Sequence, residues 1–366
     1  MTNRTVNGPA TTYTVNDLNE VTGDGAGSYS YDQNGNRTAK YGGYNYTYDD
    51  ENRLTLVSDD SGHTFRTGFI YDGLGRLRAR QVYMWYTQYS IWIPTDQWRY
   101  LYDGSRVVQE RTYDQPLVAY TRGNDLSGSL EGAGGIGGLL ARSEAYYGGN
   151  WHGHAFYHAD GNGNVTSLVG TNLAVVASYK YDPYGRTISS SGSLASANVY
   201  RFSSKEIHPE SGMYYYLYRF YDPNVQRWLN RDPLLERPDG PFIEERPNGN
   251  DYTYCVNAPV SRLDPFGLTT TPGSGRYGDC TKQQYQQMNS AIGKACKDSG
   301  KMHCFKTDDC ATIKLKIGRF DACIKAREVF NDTCWSGESS IELDEIKNSK
   351  RGRENCQKLF CDKSCN

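Results

Sequence analysis

A chain of 366 residues with 31 tyrosines, 39 glycines and only 37% apolar residues holds too many strand and turn formers for an all-helical fold. The length admits more than one domain, and the net charge of −2 hides a division: residues 1–268 carry 23 basic against 29 acidic side chains, residues 269–366 carry 17 against 13. That mildly basic tail permits a nucleic-acid target without establishing one, and with no apolar run of about 18 residues a helical membrane span is excluded.

The first stretch, MTNRTVNGPATTYTV, has neither the basic start nor the apolar run of a cleaved signal, so secretion or surface delivery is expected by another route. A phrase then recurs. Tyr31-Asp32-x-x-Gly35-Asn36-Arg37 is followed by Tyr48-Asp49 with Asn52-Arg53-Leu54, by Tyr71-Asp72-x-x-Gly75-Arg76-Leu77 and later by Tyr181-Asp182-Pro183-Tyr184-Gly185-Arg186. Weaker copies stand at Tyr102-Asp103, Tyr113-Asp114, Tyr157-His158 with Asp160-Gly161-x-Gly163-Asn164, and Tyr221-Asp222-Pro223. The tyrosine ends a strand, Asp-x-x-Gly turns the chain with glycine at positive φ, and arginine and leucine open the next strand. Such a hairpin cannot bury its apolar face alone, so stacked hairpins with tyrosine ladders are predicted, rings packed and hydroxyls in water.

Between these copies, Arg80 to Trp98 reads as an aromatic hairpin turning at Pro94-Thr95-Asp96. Gly123 to Gly138 is glycine-rich and reads as flexible or as a turn, because it lacks the strand-to-helix context and the lysine of a phosphate cradle.

From residue 200 the phrase lengthens: Tyr200-Arg201-Phe202, Lys205-Glu206, Gly212-Met213-Tyr214-Tyr215, Arg219-Phe220-Tyr221-Asp222-Pro223, Arg227-Trp228, Arg231-Asp232-Pro233, then Asn257-Ala258-Pro259 and Asp264-Pro265-Phe266-Gly267-Leu268. This resembles the RHS/YD-repeat family and its RHS-associated core. The resemblance implies strands wound into a hollow shell, a core that plugs one end, and a variable domain behind it. Residues 1–268 are few for a closed cavity, so a shortened shell, a C-terminal segment, or a shell completed by further segments is expected.

The resemblance also implies self-cleavage after the terminal Asp-Pro-x-Gly-Leu, here after Leu268, by the matching pair Asp232 and Asp264. Two close carboxyls cannot both ionise, so one stays protonated to polarise the scissile carbonyl while the other activates water. Arg231 is the candidate to hold the ionised partner, Gly267 permits close backbone approach, and TTTPGSG from Thr269 reads as a linker. The intervening LLERPDGPFIEERPNGN is longer than is usual in the family and lacks its glycine after Asp-Pro-Leu; aspartates that merely cap turns are the alternative.

Only Cys255 precedes residue 269, whereas Cys280, Cys296, Cys304, Cys310, Cys323, Cys334, Cys356, Cys361 and Cys365 follow it. With one tail histidine, His303, and no paired Cys-x-x-Cys knuckles, disulfides are expected over zinc, and with them an oxidising destination. Helices are predicted from a cap at Thr281 to near Ser299, from a cap at Asp308 to near Phe330, and from Ser339 or Ser340 to near Phe360. Ile313, Ile317, Phe320, Ile324 and Phe330 recur at three- and four-residue steps. So small an apolar complement calls for disulfide staples.

The series Asp279-Cys280, Cys296-Lys297, Cys304, Asp309-Cys310, Lys316-Ile317, Cys323-Ile324, Ala326-Arg327, Asn331-Asp332, Cys334 and Cys356 resembles a cysteine-patterned domain found behind RHS cores and classed as a polymorphic toxin. It departs from that group after Cys334, where Trp335-Ser336-Gly337-Glu338-Ser339 replaces a glycine-rich stretch carrying Asp and His. A ribonuclease would use His303 as acid and base beside Asp308 or Asp309, with Lys316, Arg319, Lys325 and Arg327 holding phosphate. The bland alternative is a solvated helix surface on a cargo that binds an envelope or membrane target.

The expected fold is mainly β, followed by a small α-helical, disulfide-rich domain: a YD-repeat shell segment (1–199), an RHS core (200–268), a linker (269–279) and a helical cargo (280–366). The expected function is carriage and self-release of a C-terminal effector in bacterial antagonism, with delivery machinery and a cognate immunity protein as partners. A structural or adhesive surface protein is the alternative, and no cofactor or metal is implied.

Overall fold

In the computed structural model the Tyr-Asp phrases turn the chain as their residues dictate. One carboxylate oxygen of Asp32 accepts the backbone N–H groups of Asn34 and Asn36, both at 2.9 Å, while Gly35 takes a φ of +80°. Asp72 does the same for Leu74 and Arg76 (2.9 and 3.0 Å) around Gly75, and Asp182 for Tyr184 and Arg186 around Gly185. At Asp49 the left-handed position is taken by Asn52, the residue after glycine best suited to it.

The structure describes residues 3–4, 11–59, 61–233, 250–268, 271–272, 282–296, 303–335, 340–363 and 365. The chain divides into two compact units, Met1–Ser274 and Gly275–Asn366. In the first, fourteen strands from Tyr29–Tyr31 to Thr187–Ser191 pair antiparallel in strict chain order into one sheet.

Tyrosine links one hairpin to the preceding one. The Tyr48 hydroxyl donates to the carbonyl of Arg37 (2.9 Å), Tyr71 to that of Leu54 (2.6 Å), Tyr102 to that of Leu77 (2.8 Å) and Tyr181 to that of Val165 (2.7 Å). Each acceptor is the residue that opens an earlier strand: Arg37–Lys40, Leu54–Asp59, Leu77–Tyr86 and Val165–Gly170. The expectation of water-exposed hydroxyls is therefore corrected. These hydroxyls are internal donors, and burial raises the pKa of Tyr48, Tyr71, Tyr102 and Tyr181 well above the usual phenol value. Arg53 and Arg76 lie over the rings of Tyr71 and Tyr102, at 5.2 and 5.1 Å, adding a cation–π contact at two of these links.

One local expectation is corrected, and of two readings offered for another stretch one holds. The aromatic hairpin turns at residues 87–90, not at Pro94-Thr95-Asp96, which lie within the strand Ile91–Asp103. Pro94 pairs with Tyr83 beside a register shift between Gln81 and Tyr83, where a missing N–H is tolerated. The glycine-rich stretch is a packed turn: the Asp125 carboxylate binds the N–H groups of Ala133 (2.7 Å) and Gly135 (3.0 Å), and Ile136 is fully buried.

Residues 198–230 bond to strands along much of the sheet. Asn198 accepts from the Tyr157 hydroxyl (2.7 Å), Glu206 from that of Tyr100 (2.7 Å), and Asp222 from the Arg37 guanidinium (2.8 Å). Four short strands within this segment, Glu206–Ile207, Tyr214–Tyr215, Phe220–Asp222 and Arg227–Trp228, form a second sheet. Its rings pack in a buried cluster of Tyr214, Tyr216, Tyr221, Trp228 and Tyr254.

The second unit consists of α1 (Lys282–Ala295), α2 (Cys310–Trp335) and α3 (Ser340–Asp362). The cap of α2 is Asp309, whose carboxylate accepts the Thr312 N–H at 2.6 Å; Asp308, the expected cap, instead accepts from the Phe305 N–H and the Lys316 ammonium. Apolar residues of α2 face two neighbours: Ile313 and Phe320 pack with Cys356 of α3, while Phe330 packs with Ile292 of α1. Phe320 sits against Gly352, where a Cβ would lie 2.6 Å from the ring.

Disulfides join Cys296 to Cys323, Cys304 to Cys356 and Cys310 to Cys365, tying α2 to the residue after α1, α3 to the segment before α2, and the start of α2 to the segment after α3. Cys361, expected among the bridging cysteines, is a free, exposed thiol; Cys280, the Cys334 side chain and the Thr281 cap lie outside the described residues. Among the described residues no helix is long and apolar enough to cross a membrane.

Two expectations follow from these contacts. Asp222→Ala leaves the Arg37 guanidinium buried without its carboxylate and is expected to lower stability by about 3–5 kcal/mol, read from urea midpoints followed by tryptophan fluorescence; a loss within error would show the pair to be dispensable. Under non-reducing native conditions Cys361 is expected to alkylate rapidly and Cys255 only after unfolding, with peptide mass mapping recovering the three bridges; a modified Cys255 in the native chain would refute its burial.

Candidate active site

Residues 264–268 form a loop wound around one carboxylate. Oδ1 of Asp264 accepts the N–H groups of Gly267 (2.7 Å), Leu268 (3.0 Å) and Phe266 (3.3 Å). The winding requires Gly267 at a φ of +78°, and a Cβ there would stand 3.1 Å from the Cβ of Tyr216.

Arg219, immediately before the strand Phe220–Asp222, supplies the cation. Its guanidinium is buried over the Trp228 ring at 4.3 Å and donates from Nε to the Gly267 carbonyl and from Nη1 to the Asp251 carbonyl (3.2 Å). Nη2 lies 2.8 Å from Oδ2 of Asp232 and 3.9 Å from Oδ2 of Asp264. One buried nitrogen thus faces both carboxyls.

Burial pushes the Asp264 carboxyl up to about 6, and the nearby Asp232 charge adds to the rise. Arg219 and the loop N–H groups pull the other way without overcoming it. Near neutral pH the site therefore holds a carboxyl that retains a proton part of the time beside a carboxylate paired with arginine, the asymmetry that acid–base chemistry on one substrate bond requires.

Asp232 and Asp264 are brought together, but Arg231 is not with them. It faces Glu20, 3.9 Å away, and the Tyr252 hydroxyl. The missed residue is Arg219, thirteen positions before Asp232; a buried carboxyl pair demands a counter-cation, but chain adjacency points to the wrong arginine. Leu268 ends the described loop, and Thr269 lies outside the described residues.

In the tail, His303 is exposed; its backbone carbonyl accepts from Lys316 (2.8 Å), and its ring makes no hydrogen bond among the described residues. Lys316 is paired with Asp308 (2.6 Å) and Arg327 with Glu345 (3.2 Å), while Arg319 and Lys325 are exposed.

Residues 276–359 match a family profile described as "Novel toxin 16". A tRNA nuclease, WapA, of Bacillus subtilis is 29% identical over 256 residues, which is 69% of this chain and 10% of that protein. Double-stranded DNA deaminase toxin A of Burkholderia cenocepacia is 26% identical over 267 residues, 68% of this chain and 17% of its own. Together these matches support an RHS-type polymorphic-toxin C-terminal region. The chain spans about a tenth of the length of the first curated relatives it matches. Its fold is also that of a chain in the Photorhabdus luminescens Tc holotoxin pore, with a TM-score of 0.51 at 19% identity over 72% of this chain and 13% of the other.

The raised Asp264 carboxyl gives a signed pH dependence. Its proton is held more tightly in the folded state, so the associated stability is complete below about pH 4 and is lost as pH rises through about 6. Asp264→Asn removes that loss, and the stability of the variant relative to the parent is expected to grow across this window in urea titrations. A constant difference would place the carboxyl at its ordinary value.

Proposed function

We propose that the first unit of this RHS-type toxin cuts its own chain after Leu268 and releases residues 269–366 as an effector in bacterial antagonism. The observation that carries this reading is the buried Asp232–Arg219–Asp264 cluster with the 264–268 loop wound onto Asp264.

The Asp232 carboxylate, held by Arg219, takes a proton from the attacking water. The protonated Asp264 donates towards the Leu268 carbonyl as the C–N bond to Thr269 weakens. Water's oxygen ends on the new carboxyl of Leu268, and the departing amine of Thr269 takes up a proton. Arg219 keeps the two carboxyls unequal throughout, so the site needs no further group to divide the roles.

The tail is the effector on the strength of its toxin-family match and its staples, which suit an oxidising route. A nucleic-acid target agrees with its mild basicity and with the exposed Arg319 and Lys325; two relatives are named as a tRNA nuclease and a DNA deaminase. A cognate immunity protein and a delivery apparatus are the corresponding partners.

Intact mass and gel analysis of the purified chain beside Asp264→Asn and Asp232→Asn tests the release step. The parent is expected as two pieces, residues 1–268 and 269–366, and both variants whole. A parent that stays whole would leave the aspartates structural.

A further inference from the structure

Lys205 is a buried ammonium with an unusual set of partners. Nζ donates to the Pro265 carbonyl at 2.6 Å and to the Gly134 carbonyl at 2.9 Å, and it lies 5.3 Å from the centre of the Tyr216 ring. Burying a cation is costly unless its donors are satisfied, and here two main-chain carbonyls far apart in the sequence take two of its three N–H groups. One belongs to the 264–268 loop, the other to the glycine-rich turn that Asp125 holds closed.

Gly134 meets the same carbonyl from its own side. It has a φ of +61°, and a Cβ built on it would overlap the Pro265 carbonyl. The glycine is thus required twice, for its backbone conformation and for the closeness of the loop.

The geometry points to Lys205 and Gly134 as positioning residues for the self-cleavage proposed above: together they clamp the Pro265 carbonyl and so aim the 264–268 loop at the Asp232–Asp264 pair. This inference rests on that reading. Releasing the Pro265 carbonyl lets the Pro265–Phe266 peptide plane rotate, which swings the Phe266 N–H away from Asp264 and moves the Gly267 carbonyl held by Arg219. Misplacement on the ångström scale slows a positioned reaction severely.

Lys205 also faces charge. Asp264 and Asp125 favour its protonated form, Arg122 opposes it, and burial brings it down to about 7. Asp264 in turn faces Arg219 and Asp232 and lies near the Cys255 thiol. Removing the ammonium removes one cation from the field at Asp264, which then keeps its proton to higher pH.

The test uses the full chain recovered uncut from inclusion bodies in urea and refolded in buffers from mildly acidic to mildly alkaline, with the 269–366 fragment followed in time and circular dichroism reporting the fold. Lys205→Met is expected to cut roughly tenfold to 100-fold more slowly, with the alkaline limb of its rate profile displaced to higher pH. Gly134→Ala is expected to slow cleavage with that limb unmoved, because the ammonium remains. A refolded Lys205→Met that cuts at the parental rate with an unchanged profile overturns the inference alone. Should that variant not refold, a refolded Gly134→Ala cutting at the parental rate overturns it instead. A parent that stays whole, like its Asp264→Asn control, overturns the self-cleavage reading and this inference with it.

Discussion

Tyrosine hydroxyls and guanidiniums taken out of water must each find a partner, and the first unit is organised by that demand. An unmade hydrogen bond inside a protein costs more than a made one gains, so a sheet whose buried face carries Tyr100, Tyr157 and Arg37 needs acceptors from elsewhere in the chain. The segment from Asn198 to Asp222 supplies them: an amide for Tyr157, a carboxylate for Tyr100 and another for Arg37. Because those acceptors sit at fixed places in one short segment, the segment's register against the sheet is fixed as well.

That register positions the candidate site. Asp222 is anchored by Arg37, and Arg219 precedes it by three residues, so the anchor that seats the strand also orients the guanidinium facing Asp232 and Asp264. Glu206 is anchored by Tyr100, and Lys205 is its neighbour, pointed the other way to the Pro265 carbonyl. Adjacent residues of extended chain thus serve two faces: one grips the sheet, the other addresses the loop that ends at Leu268.

Much of this was legible, and the misses share a cause. The Asp-x-x-Gly turns, the chain-ordered sheet and the helical tail follow from local chemistry, and local chemistry places them correctly. The tyrosine hydroxyls were misread because an isolated hairpin leaves them in water, whereas the acceptor, the carbonyl of Leu54 for Tyr71, belongs to an earlier hairpin. Chain adjacency to Asp232 favours Arg231 over Arg219, but Arg231 is engaged by Glu20 and the Tyr252 hydroxyl, contacts that only the folded chain brings together. Pro94 looked like a turn residue because the bulge that accommodates it is a property of the pairing with Gln81 and Tyr83, invisible in one strand. Asp308 and Asp309 differ by one position, and only the path of the chain from Phe305 decides which caps α2.

The two units solve the problem of a modest apolar content in opposite ways. The first places polar groups inside, many of them bonded to one another, and keeps one thiol, Cys255, fully buried with burial raising it well above its usual value. The second has few buried apolar residues along its helices and relies on covalent ties between segments 27 to 55 residues apart, separations at which cross-links restrict an unfolded chain appreciably. An oxidising environment therefore acts on the two units unequally. It completes the tail, whose cysteines are already in register, while the thiol of the first unit is sealed from exchange because attack requires an accessible thiolate. A unit that depends on buried hydrogen bonds and a unit that depends on disulfides can then share one chain, because oxidation that closes the bridges of the second leaves the buried thiol of the first untouched.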